Sequence, residues 1–381
     1  MLWAISKPST NLSYLNDVLA HFIISSRSQN RYLKQRLFPS DFIAIHDNNS
    51  NNIKPKFQAV FKEIRKLELP ERRELIRVYL NNQRVESLCL SKTFPIKNLS
   101  TFSAELQKAM KDLGEYLYSN ALKLAPFTSL PNVNHTLREH WIDYKNLNGK
   151  ICCFCGINEY IEQLADVTLA QQFRPAFDHY LPKEKYPFSA VNFNNLVPIC
   201  DTCNGRRLKG SKDPCNCNEK GRVEAFFPYN GNMFGTLEFD IGFTREQIQN
   251  RGSISEIWTV DLLNSADEKQ TSWNRLFNIV KRIKGRVNNN YVSWLESDIL
   301  TTPLPLPQIK TELEAKGRAN LSHMKDIGDG YHKGLAFLKM SQLSDDMLEV
   351  IVDSIGYMPQ PQNSTEVEQL LESLGIRESE D

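Results

Sequence analysis

Two C-x-x-C pairs constrain this chain more than any other feature: Cys152 with Cys155 and Cys200 with Cys203, separated by 44 residues. Two thiolates at that spacing grip one Zn²⁺ from a single turn, and two such turns complete a tetrahedral sulfur cage. With all four positions filled, such a site is structural and leaves no place for a catalytic water. Residues 152–203 are therefore expected to fold back on themselves until both pairs meet. Cys153 offers a second pairing with Cys155, but the two-residue spacing and Gly156 behind Cys155 favour Cys152. Cys215 and Cys217 have no obvious partner and read as free thiols. Seven of the eight cysteines fall within 66 positions, a clustering that in a reducing compartment means metal or redox chemistry rather than disulfides.

The rest of the chain reads as ordinary globular protein. At 381 residues, 41% hydrophobic and 24% charged, it is long enough for two or three domains with real cores. No apolar run reaches bilayer length; the best, Val18 to Ile24, is interrupted by His21. The first residues lack a basic segment ahead of an apolar run. A cytoplasmic protein without membrane association is expected.

Residues 1–145 read as mainly helical, a regulatory or partner-binding region. Pro70 precedes Leu75, Ile76, Tyr79 and Leu80, as at a helix start. Leu106, Met110, Leu113 and Leu117 make one apolar helix face that Ser103 could cap. Asn48 to Asn52 reads as an exposed loop. Residues 146–230 change character, with short apolar segments punctuated by Gly, Pro, Asn and Cys. Residues 231–381 return to a mainly helical pattern. They begin with a strand-like stretch from Gly235 to Gly242. A capping box of Ser265 and Glu268 then opens an amphipathic helix through Trp273, Leu276, Phe277, Val280 and Ile283. Pro303 to Pro307 marks a linker or break, and a last helix is expected from Thr365 to Gly375. The fold class predicted is α+β, a mainly helical chain around a small central domain.

Between the cysteine pairs stands Phe177-Asp178-His179-Tyr180-Leu181-Pro182, followed by Asn194-Asn195-Leu196 and by Cys203-Asn204-Gly205-Arg206-Arg207. A carboxylate beside an imidazole suits phosphodiester hydrolysis. The carboxylate can hold a hard divalent ion, and a neutral imidazole can take a proton from water near pH 7. This arrangement resembles the HNH endonuclease family of the ββα-metal superfamily over roughly Cys152 to Lys212, about a sixth of the chain. The resemblance implies a zinc-stapled ββα-metal domain. His179 would be the general base, Asp178 the first ligand of a catalytic Mg²⁺ or Mn²⁺, and Asn204 the second. Asn195 would steady the loop and orient the base. In that family the Asp-His pair ends the first strand of a hairpin, the middle Asn lies in the connecting loop, and the third motif residue opens the helix. The wording around Asp178 and Asn195 looks most like HNH nucleases of bacterial restriction and anti-phage defence operons. That likeness implies a regulatory ATPase or sensor from the same operon, since the chain has no phosphate-binding G-x-x-x-x-G-K-[ST] loop of its own. The alternatives from other classes are a zinc-organised DNA-binding or scaffold module with a silent nuclease centre, and an RNA nuclease.

Charge bears on the partner. The formal net charge is only +1, yet residues 341–381 carry −9 and the remainder +10. Arg206, Arg207, Lys209 and Lys212, with Lys220 and Arg222, place a basic stretch beside the expected metal, suited to contacting DNA phosphates without reading sequence. Lys281, Arg282, Lys284 and Arg286 could extend that track. The acidic tail could fold back on it, or pack through its own apolar face. Self-association remains open to such a chain.

Overall fold

A run of amphipathic helices builds the first part of the chain. In the computed structural model, which describes residues 1–48, 52–168, 171–231, 234–243 and 257–357, they are α1 (Tyr14–Ser26), α2 (Lys34–Leu37), α3 (Ile43–Asp47), α4 (Ile53–Lys66), α5 (Leu69–Gln83), α6 (Val85–Leu90), α7 (Ala104–Ser119), α8 (Ala125–Thr128) and α9 (Leu137–Asn148). Pro70 sits in the first turn of α5, which is also closed by a reciprocal Glu68–Glu71 capping box. Ser103 accepts a bond from the Leu106 N–H, and Leu106, Met110, Leu113 and Leu117 form the buried face of α7. The core between α1 and α4 is aromatic: Phe22 stacks on Phe38 and meets Phe57 edge-on. Of the expected Asn48–Asn52 loop, residues 49–51 lie outside the described residues.

Short elements follow. Strand β1 (Phe177–His179) pairs antiparallel with β2 (Leu196–Pro198), in the register Asp178 opposite Val197. A single helical turn, α10 (Asp201–Asn204), leads to a two-residue hairpin of β3 (Asn216–Cys217) and β4 (Gly221–Arg222). A third antiparallel pair joins β5 (Leu237–Ile241) to β6 (Trp258–Leu262), with alternate residues buried as the period of two requires. The chain then forms α11 (Glu268–Phe277), α12 (Ile279–Asp298), α13 (Leu306–Ser322), α14 (Gly330–Ser341) and α15 (Asp345–Ser354). Helices with small antiparallel sheets make this an α+β chain.

Two compact units emerge. The first comprises residues 1–235 and 264–278, the second 236–263 and 279–381. The first unit thus holds the N-terminal helices, the cysteine-rich segment and α11 together. In the second, β6 packs on α12, β5 on α14, and α13 on α14. The close pass of α13 and α14 uses Gly317 and Gly334, since a Cβ on Gly334 would lie 2.9 Å from the Gly317 carbonyl oxygen.

Three expectations change here. Ser265 does not cap α11; Asp267 does, accepting from the Lys269 N–H, while Glu268 turns to Lys92 and to the Glu224 N–H. The single helix expected through Val280 is broken by Asn278 in the left-handed conformation (φ 52°), which separates α11 from α12. The Pro303–Pro307 stretch does break the chain, but it already contains the start of α13, with Pro307 in the first turn where its missing N–H costs nothing. The helix expected from Thr365 to Gly375, and with it most of the acidic tail, lies outside the described residues.

Candidate metal and hydrolytic centre

The two cysteine pairs meet. The sulfurs of Cys152, Cys155, Cys200 and Cys203 all lie within 4.8 Å of one another and are buried, with Cys155 and Cys200 4.0 Å apart and no disulfide among them. Zn–S bonds of about 2.3 Å place tetrahedral sulfurs about 3.8 Å from each other, so the cluster fits a zinc. Each half is locally shaped for it. The Cys155 and Gly156 N–H groups both donate to the Cys152 carbonyl, and Gly156 supplies the positive φ (65°) that closes the turn. Cys200 precedes α10, which brings Cys203 round one turn later. Mutual hydrogen bonding holds the Cys155 and Cys200 thiols below their ordinary range and helps push Cys203 above it, while burial raises Cys152. Four crowded sulfurs that cannot all lose their protons unaided are a donor set made for a cation. Cys153 is not among them; it is buried against Tyr160, whose hydroxyl also accepts from the Cys153 N–H at 3.1 Å. Cys215 is not isolated either, because its thiol is hydrogen-bonded to that of Cys89 on α6.

Asp178 and His179 close strand β1, and Asn195 sits in the loop just before β2. The Asn195 amide ties that loop to itself: Oδ1 accepts from the Leu181 N–H at 2.7 Å, and Nδ2 donates to the carbonyls of Leu181 (3.0 Å) and Ser189 (3.4 Å). The loop it steadies carries Ala190, whose carbonyl lies 2.9 Å from His179 Nε2. A carbonyl only accepts, so Nε2 carries the proton and Nδ1 keeps the free lone pair of a neutral imidazole. Burial lowers the His179 pKa below its ordinary value, despite the raising influence of the Ala190 bond and of Asp178. Asp178, His179, Asn204 and Arg206 line one cleft of about 430 Å³.

The N-terminal helices pack against His179 and the loop that holds it. Tyr118 of α7 meets the His179 ring edge-on, with centroids 4.5 Å apart, and its hydroxyl donates to the Phe177 carbonyl. Gly114, one turn earlier, lets α7 lie against the same loop: a Cβ there would sit 3.0 Å from the Pro187 carbonyl oxygen and 3.1 Å from the Ala190 Cβ. From α5, Gln83 donates to the Phe188 carbonyl at 2.7 Å, and Tyr79 packs edge-on against Phe188. No pattern in residues 1–145 marks these residues as neighbours of His179.

Three sequence-based placements are corrected. Asn204 does not open a helix but ends the one-turn α10, after which Gly205 turns the chain away in an extended conformation. The turn serves Lys209, which was expected on an exposed phosphate track. Its side chain is 1% exposed, and its ammonium lies 2.6 Å from an Asp178 oxygen and 2.9 Å from the His179 carbonyl. Arg206, Arg207 and Lys212 are exposed as expected. Arg222 is not available to phosphate, because its guanidinium donates to the backbone carbonyls of Cys215, Val223, Leu88 and Ser91. Lys281, Arg282, Lys284 and Arg286 belong to the second unit, where Arg286 forks onto Asp329 through bonds of 3.0 and 2.9 Å from Nε.

Among the described residues no helix is long and apolar enough to cross a membrane. No protein-family model matches the chain, and no solved structure matches it. A stretch of 36 residues, 9% of this chain, is 50% identical to Septu protein PtuB of Bacillus thuringiensis, of which it spans 13%.

Proposed function

We propose that this protein is a metal-dependent HNH endonuclease that hydrolyses DNA phosphodiester bonds, working in bacterial anti-phage defence or restriction. One observation carries the reading: His179, neutral and held through Nε2 by the Ala190 carbonyl, shares a cleft with Asp178 and Asn204. The local likeness to a Septu protein supports the defence setting.

In this reading Asp178 and Asn204 hold a Mg²⁺ or Mn²⁺, a hard cation that keeps waters and needs few protein oxygens. When bound, the ion supplies charge stabilisation to the scissile phosphate and the departing oxygen. Asp178 has one oxygen on Lys209, which fixes the carboxylate's orientation and leaves the second oxygen as the ligand. His179 Nδ1 takes a proton from the attacking water as the new P–O bond forms, and the ester P–O bond on the far side of phosphorus breaks. Asn195 acts at one remove by holding the loop that carries Ala190. Cys200 and Cys203 would hold a zinc together with Cys152 and Cys155, which would tie α10, and so Asn204, to the Cys152–Cys155 turn. A partner ATPase or sensor would supply any nucleotide-driven step.

Incubation of the purified protein with supercoiled plasmid, linear DNA and RNA, with and without Mg²⁺ or Mn²⁺, tests the proposal. His179→Ala should lower cleavage by about 10²–10⁴-fold while folding and zinc content stay unchanged. Cleavage at the wild-type rate by this variant would remove His179 from the mechanism. Metal-dependent binding without cleavage of any of the three would leave a silent scaffold.

A further inference from the structure

Three clefts of similar size adjoin one another on the first unit. The one holding Asp178 and His179 shares Glu184 with a neighbour of about 440 Å³ and Ser211 with another of about 480 Å³. The candidate centre thus adjoins both neighbours, and the three clefts offer one connected path. The walls of the outer clefts combine residues of the cysteine-rich stretch with residues brought from elsewhere in the chain. On one side they include Lys108 and Lys111 of α7 together with Lys185. On the other they include Lys212 and, from α11, Arg275. Arg275 lines that cleft with Nη2 held by the carbonyls of Asp213 and Pro214 (3.1 Å each), leaving its other guanidinium nitrogens for a ligand.

Resting on the nuclease reading above, we infer that this path is the seat of a continuous polynucleotide backbone, with Lys108 and Lys111 holding phosphates on one side of the scissile bond and Lys212 and Arg275 on the other. The chemistry fits an extended polyanion. Lys108 and Lys111 lie one turn apart on the same face of α7 and are exposed. Lys111 makes no ion pair with a described residue, and Lys108 has only the exposed Asp112 at 2.9 Å, a partner weak enough to yield to phosphate. Glu184 and Asp213 are not obstacles of equal weight, since Asp213 is already taken by Lys185 at 2.7 Å. A path longer than the centre itself also suits an internal bond, as an endonuclease requires. The N-terminal helices would then be part of the substrate interface.

The test measures affinity against salt for labelled duplex DNA, single-stranded DNA and RNA, in Mg²⁺, using the intact chain with His179→Ala to prevent turnover. Lys108→Gln/Lys111→Gln in that background should weaken binding and flatten the slope of log K against log salt by about 1.4 on a single strand or about 1.8 on a duplex. The preferred nucleic acid is the arm that the parent binds most tightly at matched salt. Lengthening an oligonucleotide from the centre toward α7 should add affinity in the parent and none in the double variant. Binding by the parent with an unchanged slope and length dependence in the variant overturns the inference and leaves the nuclease reading standing. A parent that binds none of the three nucleic acids overturns the nuclease reading itself.

Discussion

The ammonium of Lys209 lies 2.6 Å from the Asp178 carboxylate, and the two side chains are 1% and 12% exposed. A buried pair of this kind is costly to break, because the partner left behind keeps its charge away from water. Asp178→Asn and Lys209→Met should each lower unfolding free energy by about 3–5 kcal/mol. The double variant should recover much of that loss and, on the nuclease reading, remain inactive. Denaturant titration of the four proteins checks it; losses that simply add would show that the two side chains do not act as a pair.

Zinc should be found at about one ion per chain in the purified protein. Cys155→Ser or Cys200→Ser should remove it and unfold the first unit around it, since thiolate–zinc binding contributes on the order of 10 kcal/mol to folding. Elemental analysis with a thermal melt, before and after chelation, is the measurement. A folded protein without zinc would refute the structural role.

The contact between α7 and the His179 loop predicts a rate effect without a binding effect. Gly114→Val would press on the Pro187 carbonyl oxygen and the Ala190 Cβ, displacing the carbonyl that orients His179. On the nuclease reading, kcat should fall by about 10–10²-fold with KM little changed. Tyr118→Phe keeps the ring on His179 and should lose far less. Matching losses in the two variants would argue against transmission through the loop.

His140 predicts how stability responds to acid. It is buried between Phe177 and Phe193, with Nδ1 2.6 Å from the Thr10 hydroxyl, and burial lowers its pKa from 6.5 to about 4. The unfolded chain takes up a proton at this position below pH 6.5, whereas the folded chain resists until about pH 4. Stability from this group is therefore complete above pH 6.5 and falls as pH drops toward 4, by about 3 kcal/mol in all. His140→Gln should flatten that part of the profile relative to wild type. Parallel pH profiles for the two proteins would refute the assignment.

Features set by a few neighbouring residues were legible in the sequence. The C-x-x-C spacing identified four sulfurs that converge, because a two-residue gap makes a turn whose geometry hardly depends on the rest of the chain. The spacing of Leu106, Met110, Leu113 and Leu117 identified the buried face of α7, because helical period alone places them together. Even there, local chemistry misled where two residues competed: Asp267, not Ser265, took the cap.

What surrounds His179 was settled by packing over long separations. Nothing near Lys209 in the chain distinguishes it from Arg206 or Lys212. Only the turn after α10 carries it under Asp178, where a buried carboxylate and a backbone carbonyl can satisfy its charge. Likewise Tyr118 and Gly114 read as ordinary helix residues until α7 lies against the β1–β2 loop. Spacings of a few residues were enough to set the two cysteine turns, the helix faces and the Asp178–His179 pair. Which side chains hold that pair in place was decided by the tertiary structure, because desolvation and close contact arise only between segments that folding brings together.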